Sequence, residues 1–201
     1  MKIIHNGFIY ESAGGRTLIS VDIQPDHEKA FGFQMYKFAY WLESVAEQFD
    51  TIIFLFNGPE LGFPSEDEYK NWLYENDISE ELLNRIQFFD KGYAFFRNAI
   101  DAGLDENEIV KLIQYMVKNH INDSRDIDEE AWHQIGLDDA LIDHMKGNDD
   151  ALFIPEVLSV LGKVNGHIDL VGGGVNECLK EVELCLRAIN KPFNLINEWT
   201  Y

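Results

Sequence analysis

Two apolar runs bracket a helical stripe, and this arrangement limits the possible folds more than any other feature of the chain. Residues 17–22 (Thr, Leu, Ile, Ser, Val, Asp) and 51–56 (Thr, Ile, Ile, Phe, Leu, Phe) are short, rich in β-branched and aromatic residues, and show little polar alternation. Such runs suit strands buried on both faces. Between them Met35, Phe38, Ala39, Leu42, Val45, Ala46 and Phe49 recur at spacings of three and four, the stripe of a helix packed along one face. A crossover of this length implies parallel pairing, so the unit is β-α-β.

The alternation continues along the chain. Residues 66–83 read as one or two short helices and 85–89 as a third strand leading into Asp90, Lys91 and Gly92. Further on, the pattern predicts a short strand at 151–154, a helix at 156–161, a strand at 167–171, a helix at 177–189 and a last strand at 193–196. Asn6-Gly7, between two extended pieces, predicts an N-terminal hairpin. Residues 104–150 are acidic and helix-prone, with Val110, Ile113 and Val117 on one face and Leu137, Leu141 and Met145 on another, which predicts a helical insertion. The expected fold is a single α/β domain over 1–201, three-layered α/β/α and Rossmann-like, with a mainly parallel sheet.

A chain of 201 residues is long enough to bury a core without staples. Its 36 acidic against 16 basic side chains give a formal charge of −20, so the average surface repels phosphate backbones and anionic lipid and argues against general nucleic-acid binding. No run approaches the roughly 20 apolar residues of a membrane span, and the N-terminus turns polar too soon for a signal peptide. The expectation is a soluble, cytoplasmic protein. Cys178 and Cys185 fall on one predicted helix, about 10 Å apart along its axis, too far for a disulfide between them.

Chemistry gathers where strands end. Gly172, Gly173 and Gly174, followed by Val175, Asn176, Glu177 and Cys178, join a strand to a helix, and glycines permit backbone geometries that side chains forbid. With Asn176 as the cap, Cys178 falls in the first helical turn, where the helix dipole and unpaired N–H groups favour a thiolate and can hold an oxyanion. Cys185 reads as core. A thiolate nucleophile needs a base and a cation nearby, and Asp22 and Lys91 supply them. With Asn57 and the 172–178 turn, these residues are expected at the carboxyl ends of the strands, where open α/β sheets form their sites.

Residues 18–24, ending Val21-Asp22-Ile23-Gln24, the segment Asp90-Lys91-Gly92-Tyr93-Ala94-Phe95-Phe96, and the run from Gly172 to Cys178 together resemble the isochorismatase-like cysteine hydrolases, the family that includes nicotinamidases and related amidases. The resemblance implies an α/β/α fold with a catalytic Asp, Lys and Cys in that chain order, here Asp22 as general base, Lys91, and Cys178 as nucleophile. It further implies a cis peptide between Gly174 and Val175, an oxyanion hole formed by the Val175 and Cys178 N–H groups, a small amide or related substrate, and no cofactor. Val175 stands where the family usually has threonine, and the interval from Lys91 to Cys178 is longer than usual. One predicted strand follows the Cys178 helix, so a sixth strand is either missing or replaced by the N-terminal hairpin. The metal-binding Asp-x-His with a later His, as in nicotinamidases, has no counterpart, so no metal is expected.

Two other readings keep the same fold. Asp22, Asp26 and an acidic pair such as Asp149-Asp150 would hold Mg²⁺ at the strand ends in a nuclease resembling the PIN domain. Alternatively the chain is a binding or assembly protein without turnover, meeting a partner through an aromatic surface around Phe54, Phe56, Phe63 and Trp72. Homo-oligomerisation fits any of these readings.

Overall fold

We describe the chain from a computed structural model. The backbone is described at residues 2–5 and 8–11, and the chain at 15–91, 99–100, 103–137, 139, 142–143, 146, 154 and 156–201. The expected class is observed, a Rossmann-like α/β fold of the three-layer type, built on a five-stranded sheet that is wholly parallel. The chain divides into two compact units. One comprises Met1–Gly92, Lys163–Val175 and Pro192–Tyr201; the other comprises Tyr93–Gly162 and Asn176–Lys191.

Among the described residues, every strand lies in the first unit. β1 (Lys2–His5) and β2 (Phe8–Glu11) form the expected antiparallel hairpin, a separate sheet of two strands, so the hairpin does not supply a sixth strand to the main sheet. The main sheet contains β3 (Arg16–Val21), β4 (Thr51–Phe56), β5 (Ile86–Asp90), β6 (His167–Gly172) and β7 (Phe193–Leu195) in the order β5-β4-β3-β6-β7. The chain runs outward from β3 through β4 to β5, then returns to the other side of β3 for β6 and β7. Strand order therefore reverses between β3 and β6, the position where ligand crevices open in such sheets.

The helical stripe predicted over 33–49 becomes α1 (Met35–Val45), which buries Met35, Phe38, Ala39 and Leu42 and leaves Tyr36 and Tyr40 exposed. α2 (Glu66–Glu75) starts at a capping box in which Ser65 and Glu68 exchange bonds, and it buries Tyr69 and Leu73. α3 (Glu80–Leu83) follows, capped by Ser79. These helices share one apolar cluster with Leu18, Ile52, Phe54 and Phe56 of the sheet, each fully buried side chain contributing about 1.5–3 kcal/mol. Phe54 and Phe56 are thus core residues and not the partner-facing surface one reading assigned to them. The cause is α2, whose Tyr69 ring packs 6.3 Å from Phe54 and 5.3 Å from Phe56. Phe63 and Trp72 are half-buried.

The second unit is helical. α4 (Glu106–Asn119) begins at an Asp105–Glu108 capping box and buries Ile109, Leu112, Ile113 and Met116. Of the expected Val110, Ile113 and Val117, Ile113 is buried, Val110 is half-buried and Val117 is exposed. The i, i+3, i+4, i+7 set starting at Ile109 offers four large apolar side chains to the interior, which outweighs the alternative face. The unit also contains α5 (Glu129–Ile135), α6 (Val157–Leu161) and α7 (Cys178–Ala188). Leu137 is buried as expected. Leu141, Met145 and residues 151–153 of the strand predicted at 151–154 lie outside the described residues, and Ile154 is not in a strand. Among the described residues no helix is long and apolar enough to cross a membrane.

Candidate functional site

β3 ends in a backbone kink. Asp22 has φ 48°, a left-handed conformation that costs a non-glycine residue free energy and collects at functional positions. The kink is tied on both sides: the Asp22 N–H donates to the Leu55 carbonyl at 2.9 Å, and the Asp22 carbonyl accepts from the Tyr201 hydroxyl at 2.9 Å. Opposite Val21 on β6 is Gly172, with φ 79°. A Cβ there would lie 2.2 Å from the Val21 carbonyl oxygen, so the close approach of the two strands demands glycine.

The neighbouring strand ends supply the rest of the cluster. Lys91 follows β5 and is fixed by its N–H to the Phe56 carbonyl (2.9 Å). Its Nζ lies 3.1 Å from Asp22 Oδ2, with both side chains 0% exposed, and donates to Asn57 Oδ1 at 3.0 Å. Asn57 follows β4, and its N–H donates to Gln24 Oε1 at 2.9 Å. The next residue, Gly58, donates its N–H to Asp90 Oδ1 at 3.1 Å. The sequence expectation that Asp22, Asn57 and Lys91 meet at the strand ends is therefore what the geometry holds.

Gln24, Ser20, Tyr69 and Tyr201 join this cluster without having been anticipated. The Tyr69 hydroxyl donates to the Ile23 carbonyl at 2.6 Å. Burial, then the nearby charge of Asp22 and then Tyr201, hold the Tyr69 phenol well above its ordinary value of 10.0. Among the described residues Ser20 Oγ, both Asp22 carboxylate oxygens and Gln24 Nε2 are buried and meet no hydrogen-bond partner, Asp22 Oδ2 being engaged by the Lys91 charge at 3.1 Å. Buried polar groups left in this state are uncommon and call for an explanation. Gln24 had a signal, standing two residues after Asp22 in the segment that carries the family resemblance. Tyr201 had none, because its contact with Asp22 spans 179 residues of chain.

The glycine turn departs from expectation in two respects. The Gly174–Val175 peptide is trans, and the Val175 N–H, expected to face an oxyanion, donates to the Tyr201 main-chain oxygen at 2.9 Å. Helix α7 has Glu177 and not Asn176 at its N-cap, and Cys178 is its first residue. Cys178 is half-buried and Cys185 is fully buried, neither in a disulfide. Asp22, Lys91, Gly174 and Val175 belong to the first unit, and Cys178 to the second.

Among the described residues no group of three or more His, Cys, Asp or Glu side chains is placed to hold a metal ion. Asp26 is exposed in a short 3-10 helix, Pro25–Ala30, and Asp149 and Asp150, the other carboxylates of the nuclease reading, lie outside the described residues. No family model, curated protein or solved structure matches the chain.

Proposed function

We propose that the chain is a cysteine-dependent hydrolase of small amides, of the isochorismatase-like type, working through Asp22, Lys91 and Cys178. The observation that carries this reading is the wholly buried Asp22–Lys91 pair at the carboxyl end of the central strand, with Asp22 held in a strained conformation and its Oδ1 meeting no partner among the described residues. A buried ion pair is weak evidence for stability, because desolvation consumes most of its attraction. Strain and unsatisfied polar capacity together at a strand end are better explained by chemistry.

In the proposed reaction Asp22 removes the Cys178 thiol proton, and the thiolate attacks the amide carbon. The tetrahedral anion collapses as Asp22 returns that proton to the departing amine, leaving a thioester. Water, deprotonated by Asp22, then attacks the thioester, releasing the acid and restoring the thiol. Lys91 keeps the Asp22 side chain oriented and compensates its charge between transfers. The half-buried position of Cys178 at the head of an 11-residue helix supports the nucleophile's role. Fully buried Cys185 serves as its internal control.

Iodoacetamide at neutral pH is expected to modify Cys178 at least about tenfold faster than Cys185, read by mass spectrometry of digested protein. Cys178→Ala should abolish release of amine from any amide the protein turns over. Equal labelling of the two thiols, or an active Cys178→Ala variant, overturns the reading.

A further inference from the structure

The glycine turn after β6 already holds a peptide unit. The Tyr201 N–H donates to the Gly173 carbonyl at 3.2 Å, and the Val175 N–H donates to the Tyr201 main-chain oxygen at 2.9 Å. An acceptor and a donor two residues apart on the turn thus grip both ends of a single residue, which is how an extended segment is added to an existing edge. The side chain is read as well. Its hydroxyl donates to the carbonyl of Asp22 at 2.9 Å, and its ring lies 5.0 Å from that of Phe31. Four features of one residue are therefore recognised: amide hydrogen, main-chain oxygen, phenol and aromatic face.

Each recognising group belongs to a part of the fold that is fixed for another reason. The turn is constrained by the close approach of Gly172 to Val21, and the Asp22 carbonyl by the kink that ends β3. Phe31 stacks on Phe33 at 5.0 Å, and Phe33 meets Trp199 edge-on at 5.3 Å. The receptor is thus preorganised, which reduces the ordering cost of an occupant.

We propose that Gly173, Val175, the Asp22 carbonyl and Phe31 form a recognition site for an extended peptide or secondary amide bearing a phenolic side chain, and that Tyr201 occupies it as an internal stand-in. This rests on the hydrolase reading for its consequence in turnover: the family resemblance behind that reading gives the Val175 N–H to the oxyanion, so under it the Tyr201 oxygen sits where a substrate carbonyl would. With Tyr201 seated, that donor is engaged and the site is closed. Displacement of residues 200–201 opens it to a substrate of the same chemistry. The amide hydrogen is part of the recognition, so a proline at the recognised position is rejected.

The test uses N-acetyl-Thr-Tyr as the probe, followed by calorimetry and by NMR of the protein's amides. The proteins are the full chain, a chain ended after Trp199, and full-length Tyr201→Gly. Saturable binding to either variant, at least about tenfold tighter than to the full chain, is expected, and the phenylalanine analogue should bind about tenfold more weakly than the tyrosine probe, the size of one lost hydrogen bond. The Val175 and Gly173 resonances should shift on binding. Absence of binding to both variants while circular dichroism shows them folded overturns the proposal. Equal binding by the full chain also overturns it, and failure of both variants to fold does so too, because Tyr201 is then a structural clamp. Two shortened chains separate the two readings: probe binding retained without amide turnover in the one carrying Cys178→Ala leaves the recognition site standing, whereas turnover without probe binding in the one that keeps Cys178 removes the site and leaves the hydrolase.

Discussion

At the amino ends of β3 and β6, Arg16 donates through Nε and Nη2 to Asp169 Oδ2 at 3.2 and 2.6 Å, and His167 Nε2 lies 3.1 Å from Asp169 Oδ1. Asn194 Nδ2 reaches both His167 and Asp169, while Arg16 Nη1 donates to Gln48 Oε1 and the Arg16 main-chain N–H donates to Asp50 Oδ2. At the carboxyl ends of the same strands, Asp22 also faces a cation, yet among the described residues Asp22 Oδ1, Ser20 Oγ and Gln24 Nε2 meet no partner, and the Asp22 backbone is strained. Both ends bury an acid against a base. Among the described residues, the acid at the amino end has both oxygens hydrogen-bonded and the acid at the carboxyl end does not. A fold that satisfies its polar atoms at one edge can do so at the other, and the shortfall at the carboxyl edge is what supports the proposed site there.

The sharpest way to break this comparison is to remove one partner at each end. Lys91→Met strands a carboxylate that is 0% exposed, and should lower stability by about 3–5 kcal/mol in urea unfolding. Adding Asp22→Asn to it should restore much of that loss, because a neutral pair has no charge to desolvate, while turnover stays absent. Asp169→Ala leaves Arg16, whose side chain is 12% exposed, without its main partner. It should cost about 3 kcal/mol, the lower figure reflecting partial access to water. Here kcat/KM per folded molecule should stay at the wild-type value. Equal loss of turnover at the two ends would mean that both clusters act only by holding the sheet together.

Much of the sheet was legible because its strands are continuous apolar runs separated by a stripe of helical period, a pattern fixed by local chemistry. Asp22, Asn57 and Lys91 were legible as neighbours for a related reason. Each stands at a strand end, and parallel strands bring their carboxyl ends to one edge whatever the order. The α4 face shifted because Ile109 and Val110 are equally apolar in sequence, and only tertiary packing chooses between adjacent stripes. Asn176 was misjudged as the cap of α7 because side-chain preference favours asparagine, whereas the chain path out of the glycine turn puts Glu177 there. The hold of Tyr201 on the Val175 N–H was beyond reach, since a main-chain contact to a sequence-distant residue leaves no trace in residue type.

The smallest expected effect separates the two ends by pH. The Tyr69 hydroxyl donates to the Ile23 carbonyl at 2.6 Å, so Tyr69→Phe leaves a buried carbonyl unpaired and should cost about 1–2 kcal/mol at neutral pH. The phenol's folded-state pKa is raised well above 10.0, by burial first and then by Asp22 and Tyr201. A raised value in an acid means that the unfolded chain loses this proton at a pH where the folded chain keeps it. Stability from this group is therefore complete below about pH 10 and falls as pH rises past it. Urea midpoints of the wild type and Tyr69→Phe should accordingly converge between neutral pH and pH 11. Asp169→Ala lacks any such phenol contact and should run parallel to the wild type over the same range. A wild-type curve as flat as that of Tyr69→Phe would show that the carboxyl edge admits water freely, and the contrast between the two ends would then lose its physical basis.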